Sequence, residues 1–150
     1  MFRKHGVATN NIEVMFTAHS LPMRILKMND PYPEQVRETA EAVASRLGLQ
    51  RWTIAWQSAG RAVEPWIGPA LLDVLAKLPG RGCEGVVVCP AGFVSDHLEI
   101  LYDLDIEARQ AAEQLGLAFE RTPMPNDDSG FLAALAGAVW SHVEAGDEKS

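Results

Sequence analysis

Short apolar runs alternate with helical patterns along this chain, and this alternation limits the fold more than any other feature. The apolar runs have the β-branched and aromatic content of strands, and they cover 12–16 (IEVMF), 52–56 (WTIAW), 85–89 (GVVVC) and 117–120 (LAFE). Helical patterns are predicted for 33–47, 65–78, 96–115 and 130–145. Three glycines stand where these helices are expected to end: Gly48, Gly80 and Gly116. Four successive βα units predict an α/β fold, in which a four-stranded parallel sheet is flanked by helices.

Composition narrows the class of protein. The 150 residues, 47% of them hydrophobic, suffice for one domain with its own core. A net charge of -7 argues against binding to nucleic acid and favours a cationic partner. The two cysteines, Cys83 and Cys89, form no CxxC pair, so we expect neither disulfides nor a thiolate metal site, as in a cytoplasmic protein. No apolar run approaches the ~18 residues of a transmembrane segment, so none is predicted.

The predicted elements divide the chain into three parts. Residues 1–11 carry no clear element and are interpreted as a boundary or linker remnant of something larger. Residues 12–145 form the predicted domain. Residues 146–150 are expected to be a disordered tail, because terminal polar residues without a docking partner usually fray.

The segment 94–108 (VSDHLEILYDLDIEA) holds five acidic residues and no Lys or Arg. On a helix, Glu99, Asp103 and Glu107 stand at i, i+4 and i+8 and therefore share one face. Like charges at this spacing destabilise a helix by roughly 0.2–0.5 kcal/mol per pair. A sequence selected only for stability could avoid this cost, so the acids suggest a function.

Ligands of open parallel sheets bind at the carboxyl ends of the strands, where this sequence has polar loops. TAHSLP with His19 follows the first strand, and PAGFVSDHLE with Glu99 follows the third. Each residue also has a structural interpretation: His19 as a hydrogen-bonded histidine, Glu99 as part of a capping box with Asp96, and Trp56 as a core residue. Histidine and carboxylates without thiolates suit a hard or borderline divalent cation such as Fe(II), and they can also accept protons. The residues alone therefore predict a metal-handling α/β protein.

Four motifs, in this order and spacing, resemble the ferrochelatase family, whose members insert ferrous iron into a porphyrin. They are TAHSLP, DPYPEQV, WQS followed by PWIGP, and GFVSDHLEILYDLDIEA, and the resemblance runs from Val14 to Val143. It implies a three-layer, Rossmann-like chelatase domain. It also implies that His19 binds metal and helps to deprotonate the porphyrin, that Glu99 is the catalytic glutamate, and that Asp103 and Glu107 continue the metal site as a chain of acids. The family often distorts this helix to a π form.

The resemblance also predicts how the substrate is held. Trp56 and Phe93 match aromatic positions near the porphyrin, and Ser20 and Leu98 are predicted to line the same pocket. The substrate that the resemblance implies is either protoporphyrin IX or coproporphyrin III. Because no cysteine-rich tail follows the domain, an iron-sulfur cluster is not expected, and no cofactor is predicted beyond the substrate iron.

Family members have about twice this length and bind porphyrin between two similar domains, of which this chain resembles the carboxy-terminal one. The predicted partner is therefore the missing amino-terminal half, or a second copy of this chain. Two alternatives stay open: a single-domain dimeric chelatase of the sirohydrochlorin type, and a catalytically incomplete haem-binding or metal-binding domain. A domain whose acids are merely solvated is a further alternative.

Overall fold

The computed structural model describes residues 9–60 and 63–147, and its centre is a parallel sheet. The strands are β1 (Ile12–His19), β2 (Trp52–Gln57), β3 (Gly85–Cys89) and β4 (Ala118–Arg121). They pair in the order β2-β1-β3-β4, and every pairing is parallel. The predicted α/β class and four-stranded parallel sheet are confirmed.

Helices cover both faces of the sheet. Their bounds in chain order are α1 (Arg24–Lys27), α2 (Tyr32–Leu47), α3 (Leu71–Leu75), α4 (Leu98–Ile100), a π-helix (Leu101–Ala108), α5 (Arg109–Gln114) and α6 (Ser129–Asp147). Short 3-10 turns occupy Thr9–Asn11 and Pro79–Arg81. Alternate residues of β1 point to opposite faces: Met15 joins the core beneath α3 and the π-helix, whereas Phe16 packs against α2. His19, four residues after Met15, therefore faces the side of the π-helix.

One predicted helix begins later than the sequence pattern indicated. The helix expected over 65–78 is α3, which starts only at Leu71. The backbone of the preceding stretch bonds to the rim of the sheet, because Ile67 N–H donates to the Leu21 carbonyl and the Pro69 carbonyl accepts from Trp56 N–H, both at 2.9 Å. These bonds compete with a helical turn.

Two of the three predicted terminal glycines are confirmed. Gly48 and Gly116 have φ values of 61° and 70°, in the left-handed region that glycine adopts readily. The prediction for Gly80 is wrong, since Gly80 lies within a 3-10 turn and the left-handed residue that ends it is Gly82, with φ 72°.

A strict four-residue repeat runs through the helix that follows β3. Ile100, Leu104, Ala108 and Ala112 are fully buried, and the acids Glu99, Asp103 and Glu107 each precede one of them. In an α-helix, positions four apart drift by about 40° around the axis, because each turn holds 3.6 residues. The wider π turn over Leu101–Ala108 accommodates the longer repeat and agrees with the π form that the family resemblance implied.

The last helix, α6, is exposed along most of its described length. Its exposed apolar side chains include Leu132, Leu135, Val139, Trp140 and Val143, each between 48% and 64% exposed. No described helix is both long and apolar enough to cross a membrane. α6 extends to Asp147, two residues into the predicted disordered tail. The rest of that tail and residues 1–8 of the predicted linker lie outside the described residues.

Candidate active site

His19 and Glu99 meet at the carboxyl edge of the sheet. His19 is the last residue of β1, Glu99 lies in α4 after β3, and their Nε2 and Oε1 atoms are 3.5 Å apart. The other ring nitrogen, Nδ1, lies 2.6 Å from the Ser20 carbonyl oxygen. A proton on Nδ1 would donate to that carbonyl, so the lone pair of Nε2 would face the carboxylate. Two such acceptors are stabilised when they share a proton or a cation.

Both side chains are accessible to a ligand. The side chain of His19 is 36% exposed and that of Glu99 is 46% exposed. The backbone of His19 is fixed from behind, because its carbonyl accepts a hydrogen bond from the Tyr32 hydroxyl at 2.9 Å. Burial raises the pKa of Tyr32 above its usual value, which keeps the phenol protonated and able to donate. The position of His19 is therefore held by groups that do not occupy its reactive face.

Asp103 and Glu107 lie beside a separate cavity of about 340 Å³. Ser58 donates a hydrogen bond through its hydroxyl to Asp103 Oδ2, and Gln57 Nε2 lies 3.4 Å from the same oxygen. Gln57 is only 4% exposed, and its Oε1 has no hydrogen-bond partner among the described residues. Sequence reasoning missed both residues, although they stand in the WQS motif.

The predicted metal ligands therefore form two neighbouring groups. Among the described residues, no three His, Cys, Asp or Glu side chains come close enough together to hold one metal ion. His19 pairs with Glu99, while Asp103 and Glu107 line the cavity farther along the helix, and Asp103 also borders the surface beside Glu99. This arrangement suits groups that act in succession better than it suits a single four-ligand site.

An open apolar cleft adjoins the pair. It has a volume of about 670 Å³ and is lined by His97, Leu98, Glu99, Tyr102 and Asp103. The predicted pocket residue Leu98 is 83% exposed at its wall. The exposed side chains of Leu98 and Tyr102 give this cleft an apolar wall.

The other three predicted substrate contacts are less accessible. Phe93 is half-buried against the core, with its ring 5.7 Å from that of His97. Trp56 is 7% exposed and lines the cavity beside Asp103. Ser20 is 1% exposed, and its hydroxyl donates to the Ile67 carbonyl at 2.7 Å. The assignment of Ser20 as a substrate contact stays a prediction, and in this structure its hydroxyl is buried and hydrogen-bonded to the loop.

The acidic residues of 94–108 form two groups, which differ in whether they contact an arginine. Asp96 and Asp105 pair with Arg121, at 3.1 and 2.9 Å. Within the described ranges, no Lys or Arg pairs with Glu99, Asp103 or Glu107. The three acids that share the site face are thus not paired with a basic side chain of the described Lys and Arg residues.

A family model for ferrochelatase matches residues 2–143. The chain belongs to the ferrochelatase family. It is 48% identical over 131 residues to a coproporphyrin III ferrochelatase of Anoxybacillus flavithermus, a match covering 87% of this chain and 42% of the relative. A ferrochelatase of Herpetosiphon aurantiacus is 46% identical over 130 residues, which cover 87% of this chain and 43% of that protein. The chain therefore spans less than half the length of these ferrochelatases.

A solved structure supports the fold. A putative cobalamin biosynthesis CbiX protein from Marinobacter aquaeolei superposes with a TM-score of 0.64 at 15% identity. The superposition covers 89% of this chain and 98% of that protein. The sheet and its covering helices therefore form a domain that also occurs as nearly the whole of another chain.

Proposed function

We propose that this chain carries the metal-inserting half of a ferrochelatase, acting on ferrous iron and a porphyrin. The observation that carries the proposal is the His19–Glu99 pair, whose facing acceptor atoms lie 3.5 Å apart beside an apolar cleft. A porphyrin is a broad apolar disc, and its central N–H groups must lose two protons when a divalent metal enters. The cleft would contact the apolar face of the porphyrin, and the neighbouring His19–Glu99 pair would accept its protons.

In the proposed reaction, a porphyrin and Fe²⁺ give the iron porphyrin and two protons. His19 and Glu99 accept these protons as the metal–nitrogen bonds form, which is general-base chemistry. Asp103 and Glu107 extend the negative face away from the pair. We propose that they supply the cation or carry protons away, because they lie along the same helix without a Lys or Arg partner among the described residues.

The substrate is proposed to be coproporphyrin III or protoporphyrin IX. Relatives named coproporphyrin III ferrochelatase and relatives named ferrochelatase match this chain at similar identity, 48% and 46%. We further propose a cytoplasmic protein without a cofactor of its own. The two free thiols support this, since Cys83 is buried and burial raises the pKa of Cys89.

The proposed partner is the part of a ferrochelatase that this chain lacks, with a second copy of the chain as the alternative. Two observations support a partner. The chain matches only 42–43% of its relatives, and Leu98 and the apolar side chains of α6 are exposed. The CbiX-like superposition favours the alternative, because that structure consists almost entirely of one such domain.

Metal insertion by the chain mixed with the missing half of the Anoxybacillus relative tests the proposal. The assay follows the absorbance of each porphyrin with Zn²⁺, or with Fe²⁺ under anaerobic conditions. We expect His19→Ala to reduce turnover by roughly 10²–10⁴-fold, as for the loss of a general base. The control is Arg46→Ala, since Arg46 is exposed in the last turn of α2, at the opposite edge of the sheet. Turnover that survives in His19→Ala contradicts the assignment.

A further inference from the structure

One arginine binds both flanks of the helical segment that carries Glu99. Arg121, at the end of β4, contacts Asp105 in the π-helix through two bonds of 2.9 Å, from Nε to Oδ1 and from Nη2 to Oδ2. Its Nη1 atom lies 3.1 Å from Oδ1 of Asp96, just before the helix begins. The side chain of Arg121 is 14% exposed, so these ion pairs are partly shielded from water. Residues 96 and 105 are thereby tied to one point of the sheet.

Asn126 strengthens the first of these attachments. Its side chain accepts from Asp96 N–H at 2.8 Å and donates to Asp96 Oδ2 at 2.9 Å. Its own N–H donates to the Val94 carbonyl at 2.9 Å. The hydrogen bond from Asn126, together with the positive charge of Arg121, lowers the pKa of Asp96, so this carboxyl is ionised throughout the neutral range.

The start of this segment lacks a side-chain cap, and much of its surface is exposed. The helix begins after His97, which has extended backbone and makes no capping hydrogen bond with its side chain. The π turns that follow are rare in proteins and are found mostly at functional sites. The residues between the two attachments are largely exposed, including Leu98, Leu101 and Tyr102. Core packing at Ile100 and Leu104 fixes one side of the helix, and Arg121 fixes its start and its outer flank.

We propose that Arg121 is a positioning residue, which holds Glu99 against His19 by binding Asp96 and Asp105 together. This inference rests on the proposed metal insertion. Arginine suits the role because its planar fork can bind one carboxylate with two bonds and still reach a second, whereas lysine offers a single point charge. The same contacts pair Asp96 and Asp105 with a cation, whereas the three acids on the site face have no Lys or Arg partner among the described residues.

Hydrogen exchange of the full 150-residue chain tests the attachment without requiring activity. We expect Arg121→Met to speed amide exchange across 98–108 by about tenfold or more, since the flanks lose their ion pairs. The matched control is Arg109→Met. Arg109 also contacts β4, because its guanidinium lies 5.1 Å from the centre of the Phe119 ring, but it has no carboxylate partner among the described residues. Equal exchange in Arg121→Met and the parent overturns the proposal.

The metal-insertion assay with the missing half of the Anoxybacillus relative then distinguishes a positioning role of Arg121 from a general effect on stability. In the parent background, Arg121→Met is expected to lower kcat about 10–100-fold, as for other residues that orient a reacting group. In a Glu99→Gln background, the same change should have little further effect, because the group that Arg121 positions is already gone. Equal losses in both backgrounds overturn the positioning role. A parent that inserts no metal refutes the proposed function, while the exchange experiment still decides whether the attachment exists.

Discussion

Gly92 lies against the strand that ends in His19, and a methyl group does not fit there. A Cβ atom at Gly92 would lie 2.5 Å from Ala18 Cβ and 2.8 Å from Ala18 Cα. Ala18 is fully buried, and Gly92 N–H donates to the Thr17 carbonyl at 3.0 Å. Because the obstacle includes backbone, it cannot move aside as the end of a flexible side chain would.

We therefore expect Gly92→Ala to lower the free energy of unfolding by about 1–3 kcal/mol, the usual cost of overpacking. For a chain of this size, that loss corresponds to a fall in Tm of roughly 2–12 °C. The loop from Gly92 to Glu99 must also move away from β1, which widens the gap between Glu99 and His19. Metal insertion should then fall further than the loss of folded protein explains.

Urea unfolding followed by circular dichroism gives the stability, and the porphyrin assay gives the activity of the folded fraction. The control is Gly137→Ala, because a Cβ atom at Gly137 in α6 meets nothing within 4 Å. Replacing a helical glycine that has free space should stabilise by about 0.4–1 kcal/mol. A Gly92→Ala variant as stable as the parent would refute the packing argument.

Three further predictions concern the acids and the uncovered surface. Glu99→Gln removes the negative charge and the base but keeps the shape of the side chain. We therefore expect stopped-flow kinetics to show a large loss of turnover and fluorescence titration to show a smaller loss of porphyrin binding. Equal losses would indicate that Glu99 only contacts the bound porphyrin. Asp103→Asn and Glu107→Gln should raise the apparent KM for iron, since they act on cation supply, and an unchanged iron dependence would indicate a merely solvated face. The isolated chain should self-associate through exposed apolar residues such as Leu98 and Trp140, which light scattering measures; a monomer that inserts iron at ordinary rates would contradict this.

The strands of the sheet were predictable because each is encoded by a short run of neighbouring apolar residues. The apolar runs at 12–16 and 85–89 correspond to β1 and β3, although β1 continues to His19 because its last residues pair with β2. The late start of α3 was missed since the competing bonds of Ile67 and Pro69 come from residues distant in sequence. The periodicity of apolar residues reflects only near neighbours in the sequence, so it cannot predict hydrogen bonds to distant residues.

The proximity of His19 and Glu99 was predictable from the sequence, whereas the contacts that surround them were not. His19 and Glu99 follow parallel strands, so topology alone brings them to one edge. Ser58 and Arg121 reach the acidic helix from 45 and 16 residues away, through side-chain contacts that no spacing rule encodes. The hydrogen bond that occupies the buried Ser20 hydroxyl also comes from a residue distant in sequence, since its acceptor is the Ile67 carbonyl.

The π-helix amounts to one residue more than an ordinary helix would need. Removing Tyr102 would leave the buried residues Ile100, Leu104, Ala108 and Ala112 spaced by three, four and four positions, which suits regular α-helical turns against a core. Such a deletion should leave the domain folded, and it changes the spacing between Glu99 and Asp103 from four positions to three. The extra residue thus sets the spacing of the acids together with that of the buried residues, so the fold and the candidate site share one geometric requirement.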